Sequence, residues 1–172
     1  MFQEKINTKE LFASLDNIAS EFLQLIESLS DEQINIIPFK DSWTAGQLAE
    51  HLTKSNTGIA KALKIEGTPT ERNPAEREQE LKEMFLDFTI KFQASEFLLP
   101  TKDVYNKETV VADLKRSLDR LKEESDKTNL SEAINHPAFG EITKLELLHF
   151  VKFHMQRHLH QQKKIIRIVK NR

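Results

Sequence analysis

The chain contains no cysteine. Disulfides, thiolate metal ligands and a protein thiol nucleophile are therefore excluded, so a bound metal has to rely on nitrogen and oxygen donors, and thiol chemistry requires a thiol from outside. Turn formers are scarce as well: four glycines and five prolines in 172 residues are too few for a many-stranded β fold and make long helices the expectation. No run of about eighteen apolar residues is present to span a membrane, and the opening MFQEKINTKE lacks the basic and apolar regions of a signal peptide. These absences predict a soluble, cytoplasmic protein. The formal charge of −2 gives no general attraction for phosphate backbones, so neither nucleic acid nor membrane is an expected partner. Lys163, Lys164, Arg167, Lys170 and Arg172 make the C-terminus basic, which complements the negative end of a helix.

What the chain does have is apolar residues at helical spacing. Asn7, with Glu10 three residues on, predicts a capped start for a first helix carrying Leu11, Leu15, Ile18, Phe22, Leu25, Ile26 and Leu29 on one face. SDEQINIIPFKDSW then breaks the period at Pro38 and reads as a connection. Thr44 and Gln47 form a second capping signal, opening a helix to about Lys64 with Leu48, Leu52, Ile59 and Leu63 inward. EGTPTERNPAE reads as a long surface loop. Leu81, Met84, Phe85, Phe88, Phe92 and Phe97 predict a third helix ending before Pro100, its aromatic stripe packed in the core. Residues 108–126 predict a fourth helix with a charged outer face, INHPAFGEIT a turn, and the sequence from near Thr143 a last, long helix. The fold expected is all-α: an up-and-down four-helix bundle with additional short helical segments, in one domain spanning residues 1–172.

Four of the six histidines crowd into HFVKFHMQRHLHQQ, residues 149–162. At roughly 100° per residue, His154 and His158 fall one turn apart on the side of the last helix that also carries Leu147, Phe150, Val151, Gln161, Ile165 and Val169. The opposite arc holds Lys152, Gln156, Lys163, Arg167, His149 and His160, with Leu145, Phe153 and Leu159 as apolar exceptions, so His149 and His160 are expected in solvent. On the second helix His51 shares a face with Leu48, Ser55, Gly58 and Ala62, whose small members would leave a cavity beside the ring. Two imidazoles at i and i+4 can chelate one ion, and a third from a helix about 8–10 Å away can complete the set. Periodicity leaves two readings open: a metal site, or three core histidines held by Gln47, Gln161, Gln162 or a buried water.

DSWTAGQLAEHL (41–52) and HPAFGEITKLELLHFVKFHMQRHLHQ (136–161), with FLDFTIKFQASEF (85–97) between them, resemble the DinB-like superfamily, which includes the YfiT-type metal-dependent hydrolases. The resemblance implies a four-helix bundle, often dimeric, with a divalent metal held by one histidine of the second helix and two of the last. Matched residue by residue these are His51, His154 and His158, the inward set above. Trp43 stands where such proteins place an aromatic just before the second helix, packing the helix start and, after that, walling the pocket. Gln47, Ser55 and Gln161 are the candidate pocket or supporting groups.

Two classes of function follow. In the first, the chain is an enzyme whose His-bound zinc or nickel activates water for hydrolysis or a low-molecular-weight thiol for S-transfer to a small-molecule electrophile. In the second it is a non-catalytic metal-binding or structural bundle that acts through a protein partner, its own copy included. A DNA-binding role lacks both the basic surface and the motif it would need.

Overall fold

The computed structural model describes residues 6–172, so the first five residues of MFQEKINTKE lie outside it. Five helices follow one another: α1 Lys9–Glu27, α2 Ala45–Ala62, α3 Glu78–Leu86, α4 Lys107–Asp126 and α5 Lys144–Lys170. The four long ones form the expected four-helix bundle. Both α1 and α2 pack against α4 and α5, so the order around the bundle is α1, α5, α2, α4. The connections from α1 to α2 and from α4 to α5 thus cross the bundle, and α2 and α5, distant in sequence, become neighbours. Leu15, Phe22 and Ile26 of α1, Leu48 and Leu52 of α2, Leu114 and Leu121 of α4, and Leu147, Val151 and Ile165 of α5 are almost wholly buried between them.

Both helices that carry the clustered histidines start on reciprocal caps. At α2, Thr44 Oγ1 accepts from Gln47 N at 3.1 Å and Gln47 Oε1 accepts from Thr44 N at 3.0 Å. At α5, Thr143 Oγ1 accepts from Glu146 N at 3.0 Å and Glu146 Oε2 from Thr143 N at 2.9 Å. Each box satisfies amides that the first helical turn leaves unbonded. Glu146, fully buried, also takes a bidentate bond from Arg72 at 2.6 and 2.8 Å, which ties the long 66–76 loop to the start of α5.

Three local expectations are corrected. Asn7 Oδ1 accepts from Lys9 N at 3.0 Å, two residues on; this local turn replaces the Asn7–Glu10 box, and α1 opens at Lys9 after Thr8. INHPAFGEIT is more than a turn: β2 (Glu132–His136) and β3 (Gly140–Thr143) pair antiparallel, and β1 (Thr68–Pro69) adds to β2. Gly140, at φ +66°, supplies the left-handed residue that lets this hairpin turn. Gly67 allows β1 its approach, since a Cβ there would stand 2.8 Å from Glu132 Cβ.

The third correction concerns the predicted third helix. Only Glu78–Leu86 is helical, and Phe88, Phe92 and Phe97 are 46%, 46% and 77% exposed instead of packed in the core. Asp87 ends the helix locally: its Oδ1 accepts from Thr89 N at 3.0 Å and Thr89 Oγ1 at 2.6 Å, a side-chain turn that competes with the next helical bonds. Arg157 of α5 donates to the carbonyls of Phe85, Asp87 and Ile90, drawing the chain out of helical register. Residues 87–106 therefore cross the bundle surface as an irregular strap with one 3₁₀ turn, Glu96–Leu98.

Candidate metal centre

His51 reaches the α2–α5 interface because Leu48, Leu52 and Ser55 on the same side of α2 are buried there, and His154 and His158 reach it from consecutive turns of α5. The three side chains are 4%, 7% and 9% exposed. His154 Nε2 lies 3.2 Å from His51 Nε2 and 3.0 Å from His158 Nε2, and one ligating nitrogen from each ring lies within 4.8 Å of the others. The nitrogen–nitrogen edge of a tetrahedral site with metal–nitrogen bonds of about 2.0–2.1 Å is roughly 3.3–3.4 Å. Both close pairs fall near that value.

The opposite edge of each ring decides what the inner nitrogens can do. His51 Nδ1–H donates to the Leu98 carbonyl at 3.0 Å, and His158 Nδ1–H donates to Gln161 Oε1 at 2.8 Å. A carbonyl oxygen cannot donate, so in these neutral rings the proton sits on Nδ1 and Nε2 presents a lone pair. His154 Nδ1 lies 3.4 Å from Ser55 Oγ. Neutral His154 has one ring proton, which at Nε2 could serve only one of the two facing lone pairs and at Nδ1 would serve neither. A cation between the rings serves all three nitrogens, so this donor set fits a divalent metal and leaves at least one position of a four-coordinate ion for another ligand.

The electrostatics point the same way. Burial lowers the pKa of His51, with Lys54 adding to the effect and the Leu98 bond opposing it. Burial, then the charges of His158, His51 and Arg157, push His154 well below the ordinary histidine value. Burial and His51 bring His158 down to about 3 against the Gln161 bond. The neutral imidazole is the form that binds metal.

Of the supporting residues expected from the sequence, three lie at the site. The Trp43 ring stands 5.0 Å from that of His51, Ser55 faces His154, and Gln161 holds His158. Gln47 does not: its amide oxygen is committed to the α2 cap. Gly58 is exposed, with nothing within 4 Å of where its Cβ would be, so it lends no space to His51. His160 is exposed as expected, stacked on Phe88 at 3.9 Å. His149, expected in solvent, is 8% exposed beside Glu78, and Leu145, Phe153 and Leu159 are buried too. The reason is common to all four, since α5 is packed by α1, α2 and α3 around most of its circumference. The sequence pattern missed the Leu98 carbonyl, which as backbone carries no residue signal, and the ring of Phe85, 6.1 Å from His154; Phe150, placed on the His154 face by periodicity, lies 5.0 Å from it.

The geometry can be set beside known proteins. The Bacillus subtilis (strain 168) protein YuaE is 28% identical over 149 residues, covering 81% of this chain and 87% of its own. Among solved structures, a conserved protein from Enterococcus faecalis is 18% identical with a TM-score of 0.69, covering 99% of this chain and all of its own. TT2238, a four-helix bundle protein, is 21% identical with a TM-score of 0.60 over 91% of this chain and 98% of its own. Bacillus subtilis YfiT, a probable metal-dependent hydrolase with an unusual four-helix bundle topology, is 17% identical with a TM-score of 0.64 over 97% of this chain and 91% of its own. At such identities the solved structures establish the fold alone. The sequence profile of the DinB superfamily, however, matches residues 14–162, almost the whole bundle and every histidine of the cluster, and the chain belongs to that superfamily.

Proposed function

We propose that the chain is a metal-dependent enzyme in which His51, His154 and His158 hold a divalent ion, zinc or nickel by the character of the donors. Its reaction is nucleophilic attack on a small-molecule electrophile, by water in hydrolysis or by a low-molecular-weight thiol in S-transfer. The observation that carries the reading is the pair of Nε2 lone pairs fixed by outer hydrogen bonds and aimed at a third imidazole. When bound, such an ion supplies a Lewis-acid centre that lowers the pKa of a coordinated water toward about 7 or favours a thiolate over a thiol.

The chain's own residues do the rest. Gln161 and the Leu98 carbonyl keep His158 and His51 turned inward, and Ser55 lies within reach of His154 Nδ1. Trp43, Phe85 and Phe150 wall the rings with aromatic surface and exclude bulk water, which strengthens electrostatic interaction at the centre. Among the described residues the cluster holds three histidines and no carboxylate, so a bound ion would supply the acidification of the nucleophile, whose proton would pass to solvent. With no cysteine in the chain, a thiol nucleophile is a cosubstrate. YfiT, similar in fold and described as a probable metal-dependent hydrolase, supports the metal-dependent part of the reading. The same reading takes the protein as cytoplasmic and homodimeric, acting on neither nucleic acid nor membrane. No helix of the described residues is long and apolar enough to cross a bilayer.

Metal analysis of the untagged protein tests the site. About one equivalent of divalent metal is expected, lost in His51→Ala, His154→Ala and His158→Ala alike; full retention in His51→Ala would remove the site. Hydrolysis and thiol-conjugation screens of the loaded protein then separate the two reactions. The close enclosure of the rings favours one other reading, an ion with a purely structural part, and inactivity against both substrate classes with metal bound would select it.

A further inference from the structure

His51 is the one member of the cluster whose outer hydrogen bond leaves the α2–α5 pair. Its partner, the Leu98 carbonyl, belongs to the irregular strap between α3 and α4, a backbone that no regular ladder holds in place. What holds it is Glu50, the residue before His51 on α2. Glu50 Oε2 accepts from Thr101 N at 3.1 Å and Oε1 from Thr101 Oγ1 at 2.6 Å, while the Tyr105 hydroxyl donates to Oε2. Lys54, one turn on, pairs with Glu50 Oε1 at 3.0 Å and donates to the Leu99 carbonyl at 2.6 Å. The far end of the strap is fixed separately, by Asn35 bonding both the amide and the carbonyl of Tyr105 at 2.8 and 2.9 Å. The ties close to Leu98 are thus Thr101, bonded to Glu50, and Leu99, bonded to Lys54, and Glu50 belongs to both because it pairs with Lys54. Glycine at position 46 lets the strap come this close: a Cβ there would lie 2.7 Å from Tyr105 Cγ.

We propose that Glu50 is a positioning residue for the metal centre, fastening residues 98–105 to α2 so that the Leu98 carbonyl keeps His51 in its Nδ1–H tautomer with Nε2 free to bind. The consequence for metal rests on the metal reading above; the consequence for the ring does not. Carbonyls and carboxylates that orient ligating histidines typically account for about 10–100-fold in metal affinity. Here the orienting carbonyl is itself oriented, through a side chain that touches neither ring nor ion.

Two readouts test this. Long-range ¹H–¹⁵N spectra of the histidine rings in metal-free protein should show His51 and His158 as Nδ1–H tautomers. In Glu50→Ala the His51 signature should shift toward a tautomer mixture while His158, held by Gln161, stays as it was. Zinc affinity by competition with a chromophoric chelator should fall about 10-fold or more in Glu50→Ala and recover in part in Glu50→Gln, which keeps an acceptor for Thr101. Thr101→Val removes the hydroxyl half of the same tie and leaves the Thr101 amide on Glu50, so it should shift the His51 signature and weaken zinc binding in the same direction by less, with the double variant no worse than Glu50→Ala alone. An unchanged His51 signature in Glu50→Ala, or additive losses in the double variant, would overturn the proposal. If wild-type protein takes up no zinc yet the His51 signature shifts in Glu50→Ala, the positioning role stands and the metal reading falls. Should Glu50→Ala fail to fold by circular dichroism, Thr101→Val alone decides through the same spectra.

Discussion

Gln162 sits on α5 one turn beyond His158, fully buried, and among the described residues neither its amide oxygen nor its nitrogen meets a hydrogen-bond partner. An unpaired buried polar group costs about 1–3 kcal/mol, and methionine matches glutamine closely in length and volume. Gln162→Met is therefore expected to stabilise the protein by about 1–2 kcal/mol, read as a higher urea midpoint at unchanged slope. Metal content should not change, because the amide bonds no ring of the cluster. Gln161, next along the helix, is the opposite case. Its amide oxygen fixes His158, so Gln161→Leu should weaken zinc binding by about 10-fold with little change in the urea midpoint. Side by side, the two glutamines separate stability from function by one helical position, and chelator competition together with urea titration measures both effects.

At the scale of elements, the parts legible in the sequence were those whose partner is a periodic face. The amphipathic stripes give α1, α2, α4 and α5, and Thr44 with Gln47 marks the start of α2. His51, His154 and His158 could be placed inward because each shares a face with residues that the bundle buries. Failures arise where a side chain makes a competing local turn, as Asn7 does with Lys9, or where the partner comes from another element. Phe85, Phe88 and Phe92 keep helical spacing, but the chain leaves the helix after Leu86 because Asp87 closes on Thr89 and Arg157 collects three carbonyls. Phe92 instead stacks on Phe85 at 5.2 Å and lies under the Arg157 guanidinium. His149 follows the polar arc of α5, yet α3 supplies Glu78 to cover it. Spacing along one strand of sequence cannot report a guanidinium arriving from 70 residues away. Arg157→Met is expected to release this corner of the strap. Amide exchange over residues 87–92 should quicken while α1 and α4 keep their protection, and stability should fall by about 1–2 kcal/mol, measured by hydrogen–deuterium exchange and urea titration.

For the molecule as a whole, the buried imidazoles couple stability to proton and metal together. His51, His154, His158 and His149 all have folded pKa values lowered by burial. In the unfolded chain each protonates near the ordinary value of about 6.5, so below that pH the unfolded state binds more protons than the folded one. Their contribution is complete above about 6.5 and is lost as pH falls toward the folded values, about 3 for His158. Glu146, lowered by the Arg72 bond and by backbone amides against the cost of burial, adds a loss that begins only in the carboxylate range. The metal-free protein should therefore weaken from about pH 6.5 downward, before the Glu146 loss sets in, and His158→Asn should flatten that slope. An ion on the neutral triad adds stability by mass action, about 2.7 kcal/mol at a free concentration 100 times the dissociation constant. For a chain of this size that corresponds to a rise of about 5–11 °C in Tm. The rise should reverse with chelator, disappear in His154→Ala, and persist at pH 6, because burial holds His154 well below the ordinary histidine value and His158 at about 3. Thermal unfolding with and without zinc at pH 7.5 and 6.0 measures all three, and equal Tm values at pH 7.5 would show that the converging lone pairs hold no ion.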